Sequence, residues 1–210
     1  MHSNRLYLWL IPLALYLVFC VWYTNLGGPL SNDEIDAFVT KLEQAGGSPE
    51  RIAFVRTFME QDSGRQFVMI NSLQKNAHPP ELPATGPGAT AEDLLTHYME
   101  HMFPALLARA SHPIFSGDVV YPAMDLTGIE GAEMWDQGAL FRYRSRRDLM
   151  EIATDPAFND RHEYKLAGLT KTIAYPVETA LYYSDVRLLL ALVLFALVAV
   201  VDLALYRRPR

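Results

Sequence analysis

The stretch GALFRYRSRRDLMEIATDPAFNDRHEYKLAGLTKTIAYPV, residues 138–177, decides the fold. Residues 138–144 read as a short strand bounded by turn signals. Ser145 with Asp148 then caps a helix that breaks at Asp155-Pro156 and resumes to Leu169. Residues 171–177 (KTIAYPV) close the stretch as a second strand. Upstream, residues 66–73 (QFVMINSL) read as a buried strand. Residues 75–90 carry four prolines and two glycines, a loop long enough for a lid or a partner-contacting arm. Thr90 with Asp93 caps a long helix with the apolar stripe Leu94, Leu95, Tyr98, Met99, Met102, Leu106 and Leu107, kinked or split at Pro104 and ended by Ser111-His112-Pro113. A strand over 114–125 and an acidic loop with Glu130, Glu133, Trp135 and Asp136 lead back to the opening stretch.

The order β-α-β-β-α-β is that of a ferredoxin-like split βαβ unit, an α+β class fold, here assigned to residues 64–178. Residues 31–62 form a helical lead-in. Ser31 and Glu34 make a capping box ahead of Ile35, Phe38, Val39 and Leu42. After Gly46-Gly47, Ser48-Pro49 starts a second helix with Ile52, Val55, Phe58 and Met59 on its apolar face.

Both ends of the chain read as transmembrane helices. Residues 6–23 run 18 residues without a charge, roughly 27 Å of helix, with Tyr7, Trp9, Trp22 and Tyr23 placed for the two interfaces. The length of the run and the bulky Leu17, Val18 and Phe19 before Cys20 favour an uncleaved anchor over a signal peptide. Residues 186–206 hold fourteen uninterrupted apolar residues, 188–201, followed by Arg207, Arg208 and Arg210. With Arg5 before the first segment and no Lys or Arg over 24–34 after it, the positive-inside rule puts both termini in the cytoplasm. In a bacterium the central domain is then periplasmic and the chain resides in the inner membrane. Asp202 reads as a carboxylate near arginines at the headgroup level, or as an acid bonded to a neighbouring subunit's helix.

The chain has 210 residues and net charge −6, but residues 24–186 hold every acid except Asp202, 23 in all, against 13 Lys and Arg, a net of −10. That surplus excludes nucleic acid as a partner, which needs cationic surface. The single cysteine, Cys20, excludes an internal disulfide and a cysteine-based metal cluster.

Four stretches carry a resemblance to a known superfamily: Phe67-Val68-Met69-Ile70-Asn71, Ser111-His112-Pro113, Leu140 through Ser145, and Asp155-Pro156-Ala157-Phe158 on to His162 and Lys165. They resemble the antibiotic-biosynthesis-monooxygenase-like superfamily, in its uncharacterised bacterial branches, over roughly residues 64–178. Members of that superfamily pair as dimeric α+β barrels. In its haem-degrading monooxygenases an axial histidine follows a phenylalanine by four residues, and an asparagine on the first strand supplies a polar contact. The resemblance therefore implies haem at His162 with Asn71. It departs from the pattern at Ile152, where those enzymes carry a tryptophan.

Two other groups come from the residues themselves. His97-Tyr98-Met99-Glu100-His101 matches the inverted zincin string, in which histidines at i and i+4 chelate zinc and the glutamate is the base, with Glu178 as third ligand. The helix stripe through Tyr98, Met99 and Met102 gives His97, Glu100 and His101 a polar-face alternative. Arg142 and Arg144, in a run with Arg146 and Arg147, suit either an anionic ligand, a partner's acids or the local acids. The remaining aromatics and methionines read as core. Three function classes stay open. Leading is a non-catalytic accessory or scaffold subunit of a membrane complex, in contact with the bilayer and with other subunits or a second copy. A small-ligand or haem-binding barrel, with monooxygenase-like activity as an option, comes second, and a zinc hydrolase comes last.

Overall fold

The protein was analysed as a computed structural model that describes residues 2–206, so the expected cytoplasmic Arg207, Arg208 and Arg210 lie outside the described residues. It divides into two units, the terminal segments Met1–Leu26 with Ala180–Arg210, and the central Gly27–Thr179.

The terminal unit pairs helix α1 (His2–Tyr23) with helix α7 (Val186–Tyr206). Both are long and apolar enough to cross a membrane. Pro12 lies inside α1, and Trp9 meets Phe195 with ring centroids 5.9 Å apart. Asp202 is buried and takes a two-pronged bond from Arg5, Nε to Oδ1 and Nη2 to Oδ2, each 2.7 Å. The partner of this acid is therefore an arginine of the same chain, 197 residues away in sequence. Guanidinium and carboxylate match as forks, which fixes the two helices in register. Arg187 is likewise engaged, by Asp185 and by the Thr24 hydroxyl.

In the central unit the lead-in helices are α2 (Asn32–Gln44) and α3 (Pro49–Glu60). Ser31 and Glu34 form the expected capping box, and Ser48 caps α3 ahead of its proline. Ile35, Phe38 and Val39 of α2 bury against Met59 of α3 and against Met150. Asp62 fastens this pair to the rest of the unit: its carboxylate accepts from the Leu30 and Gly64 amides and pairs with Arg146. Gly64 has φ +73°, and a Cβ there would sit 2.7 Å from the Gly28 carbonyl carbon, so the crossing of these two backbones requires glycine.

Strands β1 (Phe67–Lys75), β2 (His112–Asp118), β3 (Gln137–Tyr143) and β4 (Leu169–Val177) form one antiparallel sheet in the order β2-β3-β1-β4. Helices α4 (Ala91–Ala108), α5 (Arg146–Ala153) and α6 (Pro156–Ala167) complete the unit. This is the ferredoxin-like α+β arrangement. Prolines 113 and 176 both fall on edge strands, where a missing N–H is tolerated. The strand expected over 114–125 stops at Asp118. Pro122 lacks an amide, and only isolated bonds such as Val119 N to Asp136 O continue the pairing. Residues 119–136 thus form an irregular arm.

Strand alternation separates two sheet faces. Phe67, Met69, Phe141 and Tyr143 face the helices, where Phe67 and Tyr143 stack at 5.2 Å and pack with Leu94, Tyr98, Leu106 and Ile152. On the other face Arg142 is 1% exposed. Its guanidinium donates to Gln66 Oε1 and to the Ala110 carbonyl. Ala110 has φ +50°, a costly conformation for a residue with a Cβ, so Arg142 holds the turn that swings the chain from α4 into β2. Arg142→Met strands the buried Ala110 carbonyl, a loss worth about 1–3 kcal/mol, and the part-buried Gln66 Oε1. Chemical denaturation should show a loss of about 3 kcal/mol, whereas Arg109→Met, which removes a part-exposed pair with Glu151, should cost under about 1 kcal/mol.

Candidate functional site

Helix α6 begins at the Asp155 cap with Pro156 in its first turn. Phe158 and His162, one turn apart, stack with centroids 4.9 Å apart at 26°. Tyr98, reaching in from α4, sets its ring edge-on to both, at 6.2 and 6.1 Å. The Nδ1 of His162 is buried and has no hydrogen-bond partner. Desolvation pulls the imidazole below its ordinary pKa, and Lys165 and Arg51 add to the same effect. Lys165, one turn further on, points its Nζ at the Tyr98 ring, 5.7 Å from the centroid. Burial lowers this ammonium as well. Tyr98 and Tyr143 are driven upward by burial and stay protonated.

Of the residues singled out with His162, Ile152 is buried in the core cluster that holds Tyr98 and against which Phe158 packs. Asn71 lies on the helix-facing side of β1, and its amide donates to the Met69 and Ala139 carbonyls at 3.2 and 3.3 Å. Rings stand against the His162 imidazole, and the Asn71 donors already serve the sheet backbone. This arrangement does not fit an axial and a distal haem contact from His162 and Asn71.

The string from His97 to His101 sits on α4. The His97 ring lies against Tyr164 at 4.4 Å. Arg161 of α6 donates to the His97 carbonyl at 2.6 Å and to Glu100 at 3.2 Å, while His101 Nε2 is buried without a partner. Glu178 stands apart from these three, accepting from Ser63 Oγ and pairing with Arg146 and Arg65. Among the described residues no three His, Cys, Asp or Glu side chains converge to hold a metal ion. Arg144 grips Asp148 through two bonds, and Asp148 also accepts from Ser145. Arg147 pairs with Glu34, which is held down to about 2. The arginine run thus meets local acids.

The outer sheet face was not singled out from sequence. Opposite the helices, Ile70, Leu140, Ile173 and Tyr175 follow one another in register, and Phe115 lays its ring over Gly117 and Gly138. Phe115 is 56% exposed and Tyr175 49%. In the neighbouring arm Val120 is 96% and Met124 93% exposed. Assigning the aromatics and methionine Phe115, Tyr175 and Met124 to the core is therefore corrected: alternation marks two apolar faces but not which one helices cover. The far end of the arm lies against the sheet edge, where Lys171 bonds the Gly131 carbonyl and sits 4.7 Å over the Trp135 ring.

No protein-family profile matches the chain, and no curated protein matches it. Among solved structures, the chain is similar to a protein of unknown function from Rhodopseudomonas palustris at 16% identity and a TM-score of 0.52, covering 64% of this chain and 97% of that one. A methylated form of that protein matches at 17% and 0.52, over 66% of this chain and 96% of that one. A dimeric ferredoxin-like protein of unknown function from Jannaschia sp. CCS1 matches at 13% and 0.34, over 54% and 99%. At these identities the first two likenesses show the fold.

Because its folded-state pKa lies below the unfolded value, His162 takes up a proton on unfolding in the window between the two. Stability from this group is complete above about pH 6.5 and declines as pH falls through that value toward the folded pKa. An NMR titration of the His162 ring should give a midpoint below the ordinary histidine value, and His162→Gln should flatten the stability profile in that window.

Proposed function

We propose that this protein is a membrane-anchored assembly module: α1 and α7 tether the ferredoxin-like domain on the extracytoplasmic side, and the open sheet face takes a protein partner. In a bacterium the chain sits in the inner membrane with both termini cytoplasmic. Arg5 and the three terminal arginines support that orientation. The observation that carries the assembly role is the apolar outer face, on which Phe115, Tyr175 and Ile173 are exposed beside the half-buried Leu140 and Ile70, flanked by the apolar arm.

An apolar face of this kind is rare on a monomer and fits a surface buried on association. A second copy of this chain is the partner that matches it best. Two such faces stack at about 10 Å, the ordinary spacing of packed sheets. A symmetric pair also needs only one kind of surface, complementary to itself. A scaffolding role accords with the charges of the central unit, which are mostly spent in internal pairs such as Arg144–Asp148 and Arg147–Glu34.

The test is the mass of the full chain in detergent by light scattering. The wild-type protein should run as a dimer. Phe115→Asp with Tyr175→Glu should run as a folded monomer, because both side chains are half-exposed and carry little of the internal core. A wild-type monomer would contradict the second-copy assignment. A detergent-extracted complex with a different subunit, lost in the same double variant, would keep the assembly role and change the partner.

A further inference from the structure

The terminal unit carries a groove of about 350 Å³. On α1 its wall includes Asn4, Leu8, Ile11 and Pro12, spaced so that they share one helix face, and on α7 it is made by Leu205 and Tyr206. From Asn4 to Pro12 the helix rises about 12 Å. The lining is graded along that length. Asn4 and Tyr206, with polar tips, belong to the terminal ends of their helices, while Leu8, Ile11 and Pro12 lie further into the span.

The two walls are locked together. Arg5 holds Asp202 through two bonds of 2.7 Å, and its guanidinium stands 5.7 Å from the centroid of the Tyr206 ring. A bidentate pair therefore fixes α1 against α7 beside the groove. The Arg5 side chain is nevertheless more than half exposed. Charge at this end is one-sided. Residues 1–12 and 202–210 hold four arginines against one acid, Asp202, which Arg5 already engages. Arg207 and Arg208 follow Tyr206 directly in sequence.

We propose that this groove binds one anionic phospholipid of the cytoplasmic leaflet. An acyl chain lies along Leu8, Ile11 and Pro12, and the phosphate faces the arginine-rich ends of the chain. An apolar groove that opens from membrane-spanning helices meets acyl chains, and basic residues next to a span attract anionic headgroups. A zwitterionic headgroup brings these arginines no net charge to offset. The site rests on the membrane anchoring proposed above and is independent of the sheet-face association.

The full chain, stripped of lipid in detergent, is titrated with dioleoyl phosphatidylglycerol and with dioleoyl phosphatidylcholine, and bound lipid is counted by native mass spectrometry. One phosphatidylglycerol should bind per chain, about tenfold tighter than phosphatidylcholine, and raise the thermal midpoint. Inorganic phosphate and glycerol phosphate, which carry the anion without the chains, should leave the midpoint unchanged. Ile11→Trp fills the groove from an exposed position and should weaken phosphatidylglycerol binding at least fivefold, with a wild-type midpoint in the absence of lipid. Val21→Trp, exposed on α1 outside the groove, should change neither. Arg207→Gln with Arg208→Gln should bring phosphatidylglycerol down to the affinity of phosphatidylcholine. Equal binding of the two lipids by the wild-type chain would overturn the proposal and leave the anchored reading standing. An equal midpoint rise with glycerol phosphate would do the same. Ile11→Trp turning a dimer into a monomer would also overturn it, because a second copy's helix would then fill the groove. A chain released from membranes by alkaline carbonate would remove the anchored reading and the site together.

Discussion

A sheet has two faces, and this chain supplies helices for one. That constraint organises the central unit. Phe67, Met69, Phe141 and Tyr143 are covered by α4, α5 and α6. Ile70, Leu140, Ile173 and Tyr175, one residue out of phase with them, carry apolar side chains on the open face. Burying a large apolar side chain is worth about 1.5–3 kcal/mol, so the exposed Phe115, Ile173 and Tyr175 on this face mark a place where association is favourable. The two glycines beneath Phe115 leave room for its ring against the sheet.

The charged side chains have a separate task. Asp62 and Glu34 of the lead-in receive the consecutive Arg146 and Arg147, so the start of α5 holds both ends of that helical pair. Arg142 holds the strained turn at Ala110 from within the sheet. In the terminal unit, Arg5 and Asp202 do the same for α1 and α7, where a lone charge in lipid would be far more costly than a matched pair.

Much of the fold was legible because its signals are local. Ser31, Ser48, Thr90, Ser145 and Asp155 each sit where a short oxygen can receive an orphan amide, and each caps a helix. The element order then restricts the sheet to few topologies, and the observed order is one of them. Long-range features were not legible. Nothing near Asp202 in sequence names Arg5 as its partner, and nothing near Arg142 says that Ala110 will need its bond. Phe115 looks like a core residue until the helices are seen to lie on the other side of the sheet. At the candidate sites, sequence spacing placed Phe158 and His162 on one helical face, as observed. The Tyr98 ring that stands edge-on to both comes from a different helix, which their spacing does not show.

Association through the outer sheet face, as proposed, requires that face to be covered in the assembled protein. Hydroxyl-radical footprinting of native membranes, read by mass spectrometry, tests it most directly. Phe115 and Tyr175 should be protected relative to Phe54 and Leu166, which are exposed elsewhere on the same unit, and solubilising the Phe115→Asp variant should restore labelling at Tyr175. Labelling of Phe115 and Tyr175 as strong as that of Phe54 and Leu166 in the native membrane would contradict the account.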